Sequence, residues 1–431
     1  MRRIAAWVFA LAGLCAPAMA NVEIEVVRPE SAPVAWLVAD DRLPLITLAF
    51  GWRGGAATDP QDKAGLSAMM ASLLDEGAGA RDAQQFQEAL ADKAIALEFD
   101  AGQDMLGGTL RCLTPHLETC FALLRDALTA PRFDDDAIAR AKARHMAGIR
   151  MRGQSPAALA SDALAAALFP DHPYGRPVGG TAESIEHIKA EDLRAHHAAH
   201  LARDNLIVAA VGDIDAATLA DALDGIFGAL PARHRLTMPP EVVAQSGASR
   251  IHIPHPNPQT HIAFGKAGVA YDDPRFFAAL VMNTILGGGN SASRLMEEIR
   301  EKRGLAYGVY SAMPFYAHSA VWRGALASDK PDEALAIVRR EMARIASDGV
   351  EAQTLADAKT YLTGAYALRF DSGAKIAGEL RGIQLLRLGV DYVGRRNGFV
   401  EAVALDDIRA IARAMLDPDA LIVATAGGAN P

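Results

Sequence analysis

The 431-residue sequence is poor in cysteine, in long apolar runs and in clustered positive charge. Cys15, Cys112 and Cys120 are its only cysteines, which excludes a small scaffold held by disulfides. The leading apolar stretch, Ile4 to Leu14, falls short of the roughly 20 residues that span a bilayer. No block of Lys and Arg breaks a chain of net charge −9, so neither nucleic acid nor an anionic membrane is expected as a partner. The glycine-rich "LGGGNSASRL", Leu286 to Leu295, follows a helical pattern rather than a strand. It contains no G-x-G-x-x-G or G-K-[ST] pattern, so it does not read as a phosphate cradle.

What is present begins with a leader. Arg2 and Arg3 precede the apolar run, and Ala18-Met19-Ala20 forms an A-x-A pattern. Residues 1–20 therefore read as a secretory signal cut after Ala20, with export to a bacterial periplasm expected. Cys15 follows Leu14 rather than a small residue, which does not fit a lipoprotein site. Losing two arginines and no acid takes the mature net charge from −9 to −11. An oxidising compartment permits a Cys112–Cys120 disulfide, but the sequence does not decide it.

The chain repeats itself. "IKAEDLRAHHAAHLARDNLIVAAVGD" (Ile188 to Asp213) aligns without gaps with "VALDDIRAIARAMLDPDALIVATAGG" (Val403 to Gly428), at an offset of 215. Each copy reads as an amphipathic helix leading into an apolar strand, and only two copies fit, so a duplicated domain is expected. Pro231, Pro239 and Pro240 mark an extended linker over 229–249. It separates a first domain, 21–228, from a second, 250–431. Strand-like and helical runs are segregated, which predicts the α+β class: two homologous domains, each a mixed or antiparallel sheet flanked by helices.

In "GLSAMMASLLDEG", Gly65 to Gly77, the residues Leu66, Met69, Met70, Leu73 and Leu74 form a core-facing helical stripe. The opposite face, Ala68, Ala71 and Ser72, lacks the charges of a solvated helix. It is expected to look at another surface or into a cavity. His196 and His200 have the i, i+4 spacing that lets two imidazoles share one zinc. No Glu sits between them in the needed place, and their repeat counterparts are Ile411 and Met415, so packing is the better reading. His172 in "DHPYG" reads as a turn stabiliser. "SRLMEEIREKRGLAYGVYS", Ser293 to Ser311, predicts a charged, solvated helix ended by Gly304 and then a strand. Arg300 in its last turn and Tyr307 at the strand's entrance would share one space. The loop before it, Gly287, Gly288, Gly289 and Asn290, reads either as a helix cap or as a place where a peptide backbone approaches closely.

These stretches, with "FPDHPYGRPVGGTAESI", carry a resemblance. The sequence resembles the pitrilysin/insulysin and mitochondrial-processing-peptidase family of zinc metallopeptidases over essentially all of the mature chain. Active members read G-L-A-H-x-x-E-H along the first helix and place a third ligand, a Glu, roughly 75 residues on. Here the ligand and base positions are Ala68, Ala71 and Ser72, and "HMAGIRM" places Gly148 or a near neighbour at the third ligand. The family's R-x6-Y element is matched by Arg300 and Tyr307. The resemblance implies no metal in this chain and zinc in a homologous H-x-x-E-H partner, forming a heterodimer. Arg300 and Tyr307 would act there in trans on short or unfolded peptides. The alternative is a catalytically inactive scaffold or peptide-binding subunit of a larger complex.

Overall fold

A computed structural model describes residues 22–288 and 291–428. The first half runs through β1 (Glu25–Val27), β2 (Ala35–Ala39), β3 (Leu45–Arg53), α1 (Leu66–Ala71) and α2 (Ala83–Ala91). It continues with β4 (Ala96–Ala101), β5 (Met105–Leu113), α3 (Leu117–Thr129), α4 (Asp135–Gly153) and α5 (Pro156–Leu168). It closes with α6 (Ala182–His187), α7 (Ala190–His200), β6 (Leu206–Gly212) and α8 (Ala216–Phe227). The second half contains β7 (Ser249–Ile253), β8 (Thr260–Ala267), α9 (Phe276–Leu286), β9 (Val309–Ala312), β10 (Phe315–Tyr316) and β11 (Ser319–Ser328). Then come α10 (Pro331–Asp348), α11 (Ala352–Ala367), α12 (Gly373–Leu385), α13 (Tyr392–Ala402), α14 (Leu405–Met415) and β12 (Ile422–Ala426).

Each half builds one mixed sheet, in the orders β1-β2-β6-β3-β5-β4 and β10-β11-β8-β12-β7, with β9 also paired to β11. The duplicated strands β6 and β12 take the same place: each is parallel to one neighbour and antiparallel to the other. Both are fully buried and apolar apart from Thr425, as suits a strand covered on both faces. The helices before them, α7 and α14, have the same bounds at the offset of 215. The fold is therefore α+β with two homologous domains, as the repeat implied.

One face of each sheet is covered by helices of its own half. The other is covered by a helix from the opposite half. Ala160, Leu164 and Leu168 of α5 pack on Ala263, Val321, Ile422 and Ala424 of the second sheet. Ile376, Ala377, Leu380 and Ile383 of α12 pack on Ala49, Ala209 and Val211 of the first. Polar bonds reinforce the exchange: Gln384 Nε2 donates to Val208 O at 2.9 Å, and Arg381 Nη1 to Phe50 O at 3.1 Å. Residues 231–248 contain neither helix nor strand but are pinned at intervals. Arg235 N donates to Ala199 O, Val242 N to His318 O and Gln245 N to Leu168 O.

Candidate functional site

The chain enters α1 through a buried cap. Asp59 accepts the Gly65 amide at 3.0 Å and both the amide and hydroxyl of Ser67, at 3.1 and 2.6 Å. Gly65 has φ +93, and a Cβ there would lie 2.8 Å from Gly179 O, so only glycine fits. The stripe Leu66, Met69, Met70, Leu73 and Leu74 is buried, as its spacing requires. The helix is shorter than its pattern. After Ala71 the backbone tightens into i→i+3 bonds, Leu73 N to Met70 O and Leu74 N to Ala71 O, which still turn both leucines into the core.

The small-residue face is only partly open. Ala68 and Ser72 are half-buried, whereas Ala71 is 3 % exposed and belongs to the first core. The expectation that all three look into space is corrected for Ala71: a helix that ends there lets the core close over its last residue. Ser72 Oγ donates to Met69 O and meets His145 Nε2 at 3.2 Å. Burial first, and Arg144 second, lower the pKa of His145, which keeps the imidazole neutral. Gly148, one turn along α4, has nothing within 4 Å of a Cβ position and borders a cavity of about 490 Å³ with His145 and Arg152. A zinc site needs at least three N, O or S ligands converging on one point. Two methyls, a glycine and a hydroxyl already bonded to one imidazole do not supply them. Among the described residues no group of three or more His, Cys, Asp or Glu is placed to hold a metal. Zinc does not fit here.

His196 and His200 point into the first domain. His196 Nε2 lies 2.9 Å from Ser67 Oγ and 3.3 Å from His200 Nδ1. Burial holds them at about 4 and about 3, so both are neutral, and it pushes Asp59 beside them up to about 7. His172 does stabilise its turn: Nδ1 accepts the Tyr174 amide, and the ring also meets Pro240 O at 3.1 Å. Cys112 and Cys120 are free and buried.

The structure brings Arg300 and Tyr307 together. The helix from Arg294 widens into a π-helical turn over Met296–Glu301 and stops before Gly304, φ +62. Arg300 sits in that last turn with its guanidinium carbon 5.0 Å from the Tyr307 ring centroid, a cation–π stack. Tyr307 is 89 % exposed, two residues before β9. The helix is not the wholly solvated one expected. Glu298 is buried and accepts from Lys302 at 2.7 Å, Arg303 at 2.8 Å and Arg340 at 3.0 Å, and Lys302 first, then Arg303, hold it at about 2. That anchor fixes the turn carrying Arg300. Arg300 and Tyr307 border a cavity of about 700 Å³ whose far wall is α5, from the other half of the chain.

Gly287 and Gly288 cap α9. Gly287 O accepts the Ser311 amide at 2.8 Å, and a Cβ on Gly287 would lie 2.7 Å from Ser311 Oγ, so the close approach seen at Gly287 is that of the chain's own β9. Gly289 and Asn290 lie outside the described residues. Sequence reasoning missed His145, although it opens "HMAGIRM". It also missed Arg323, the one charge in the apolar strand run "AVWRGALA". No local signal showed that α5 walls a cavity belonging to the other half.

Comparison with known proteins agrees with this geometry. Residues 46–182 match the family model described as insulinase (peptidase family M16), and residues 187–362 match the peptidase M16 inactive domain. An uncharacterised zinc protease of Streptomyces coelicolor is 29% identical over 75% of this chain and 75% of its own length. The non-peptidase homolog YmxG of Helicobacter pylori is 28% identical over 83% of this chain and 82% of its own. A solved peptidase M16 inactive domain from Pseudomonas fluorescens superposes with a TM-score of 0.88 at 27% identity, covering 94% of this chain and 98% of that one. With its duplicated sheets, its ligand-free first helix and these matches, the chain belongs to peptidase family M16, in the form of that family's inactive fold.

Proposed function

We propose that this chain is the non-zinc half of a two-chain periplasmic peptidase. The observation that carries the reading is a contrast within one fold: the metal position cannot hold zinc, while Arg300 and Tyr307 are stacked and open to a cavity. A homologous H-x-x-E-H chain supplies the metal and the general base. The residues of this chain bind and orient. The Arg300 guanidinium offers donors to the carbonyls of an extended peptide, and its stack on Tyr307 sets the direction of the phenol. The Tyr307 hydroxyl donates to the oxyanion that develops at the scissile carbonyl, a preorganised donor of the kind that stabilises tetrahedral intermediates.

Co-purification tests the assembly. The mature chain, mixed with an exported H-x-x-E-H homologue from the same organism, is expected to elute as a heterodimer that hydrolyses unfolded peptides, whereas neither chain does so alone. Two chains that elute separately and remain inactive together contradict the reading.

A further inference from the structure

The 700 Å³ cavity beside Arg300 and Tyr307 has a one-signed lining. Among the described residues that border it, the charged or titratable groups are Arg300, Arg323, His261, Tyr307 and Tyr310, with no Asp, Glu or Lys. Arg300 has a partial counter-charge in Glu301 at 3.6 Å. Arg323 has none: it is half-buried and makes no hydrogen bond or ion pair among the described residues. A half-buried guanidinium whose fork meets no acid of its own chain can receive a carboxylate.

The sheet register shows how a ligand would lie. On β11, Trp322 faces the second core, while Arg323, Ala325 and Ala327 alternate onto the side that α5 covers. Ala325 lies opposite Ala263 of β8 and Tyr310 of β9, and Ala327 opposite His261. The floor between Arg323 and His261 is therefore made of the methyls of Ala325, Ala327 and Ala263, with Tyr310 beside them on the same face. Beyond Arg323 the same face continues at Val321, which is 1 % exposed and belongs to one apolar cluster with Leu168, Phe169 and Tyr174, against which Tyr316 packs. The groove is closed at its arginine end. At the other end it opens toward Tyr307, because β9 starts at Val309 opposite Leu326.

We propose that this groove reads the free C-terminus of a peptide, with Arg323 pairing the α-carboxylate and the alanine floor accepting small side chains. A closed end suits a chain terminus better than a chain passing through. This rests on the reading of Arg300 and Tyr307 as substrate-facing and names the substrate class of that site: peptides bearing a free C-terminal carboxylate. Arg323 and Ala327 are four positions apart, about 13 Å at ~3.3 Å per residue. A terminus held at Arg323 thus places the carbonyl about four residues upstream beside Tyr307, so the assembled enzyme would release short C-terminal fragments.

The test uses the mature chain alone and an octapeptide of Ala and Ser with an N-terminal fluorescein, read by anisotropy. Three forms are compared: free acid, C-terminal amide, and amide with an internal Asp. The free acid should bind about 10-fold or more tightly than the plain amide, the scale of one charge-assisted pair. Arg323→Gln should shrink that gap to within about 2-fold, and Arg323→Lys should restore part of it, as simple loss of a charged partner predicts. Competition of acetyl-Ala-Ala acid against its amide on the unaltered protein gives the same answer without a variant. Equal binding of acid and amide, binding of the internal-Asp amide as tight as the acid, or no binding of any form overturns the proposal. These measurements need no partner chain. A Tyr307-dependent hydrolysis found alongside equal acid and amide binding would retire the C-terminal groove and leave the two-chain reading standing.

Discussion

Ser72 Oγ and His145 Nε2 stand 3.2 Å apart, joining α1 to α4 at the positions that the family resemblance assigns to metal ligands. The bond uses one of the few lone pairs near that spot for holding two helices together. After dialysis the mature chain is therefore expected to retain no stoichiometric zinc by elemental analysis, and His145→Ala should not change that result. One zinc per chain would contradict the account of α1.

Acid should destabilise the fold through its buried imidazoles. His196 and His200 titrate at about 4 and about 3 when folded, against about 6.5 when unfolded, so near pH 5 the unfolded chain holds two protons that the native state lacks. Asp59, at about 7 folded and about 3.8 unfolded, opposes them with one proton bound only by the native state. From these three groups the net excess is one proton on the unfolded side, a contribution that makes stability fall as pH drops from about 6.5 to 4, on the order of 1 kcal/mol per pH unit. Asp59→Asn removes the opposing proton and should steepen that slope, whatever it does to absolute stability. Chemical denaturation at a series of pH values reads this, and an unchanged slope would contradict it.

The exchange of α5 and α12 should make unfolding a single event. Leu164 is 3 % exposed and packs on the opposite sheet, so Leu164→Ala is expected to cost about 2–5 kcal/mol. The loss should appear in one cooperative transition, not in that of a single domain. Calorimetry resolving two transitions, only one of them shifted, would contradict this.

The cysteines lie side by side in the first core and are free. The hydrogen bond between the thiols pushes Cys112 up and draws Cys120 down, but both side chains are buried, so neither sulfur is exposed to a reagent. A thiol reagent should titrate no groups in the native protein and two after denaturation of the mature chain. No titratable thiol in the denatured protein would show a disulfide instead.

Much of this was legible in the sequence, for identifiable reasons. The ungapped repeat fixed the correspondence of α7 with α14 and of β6 with β12, because periodicity and apolar runs are local signals. The stripe from Leu66 to Leu74 was readable in the same way, but the early end of α1 and the burial of Ala71 were not. Those depend on what packs beside the helix. Spacing alone placed Arg300 and Tyr307 near one another, and the π-helical turn anchored by Glu298 accounts for how they meet. The exchanged helices carry no local signature. An apolar helical stripe says that a helix is covered, and nothing in Leu164 or Leu380 tells which sheet covers it.

The central claim is that this chain completes an active site it cannot form alone. The most direct test is the rate of peptide hydrolysis by the reconstituted heterodimer carrying Tyr307→Phe, with assembly checked by its elution. Loss of one oxyanion donor predicts a fall in kcat of about 10²–10³ with the complex intact. An unchanged kcat in an intact complex would contradict the account and leave the chain as a scaffold or peptide-binding subunit.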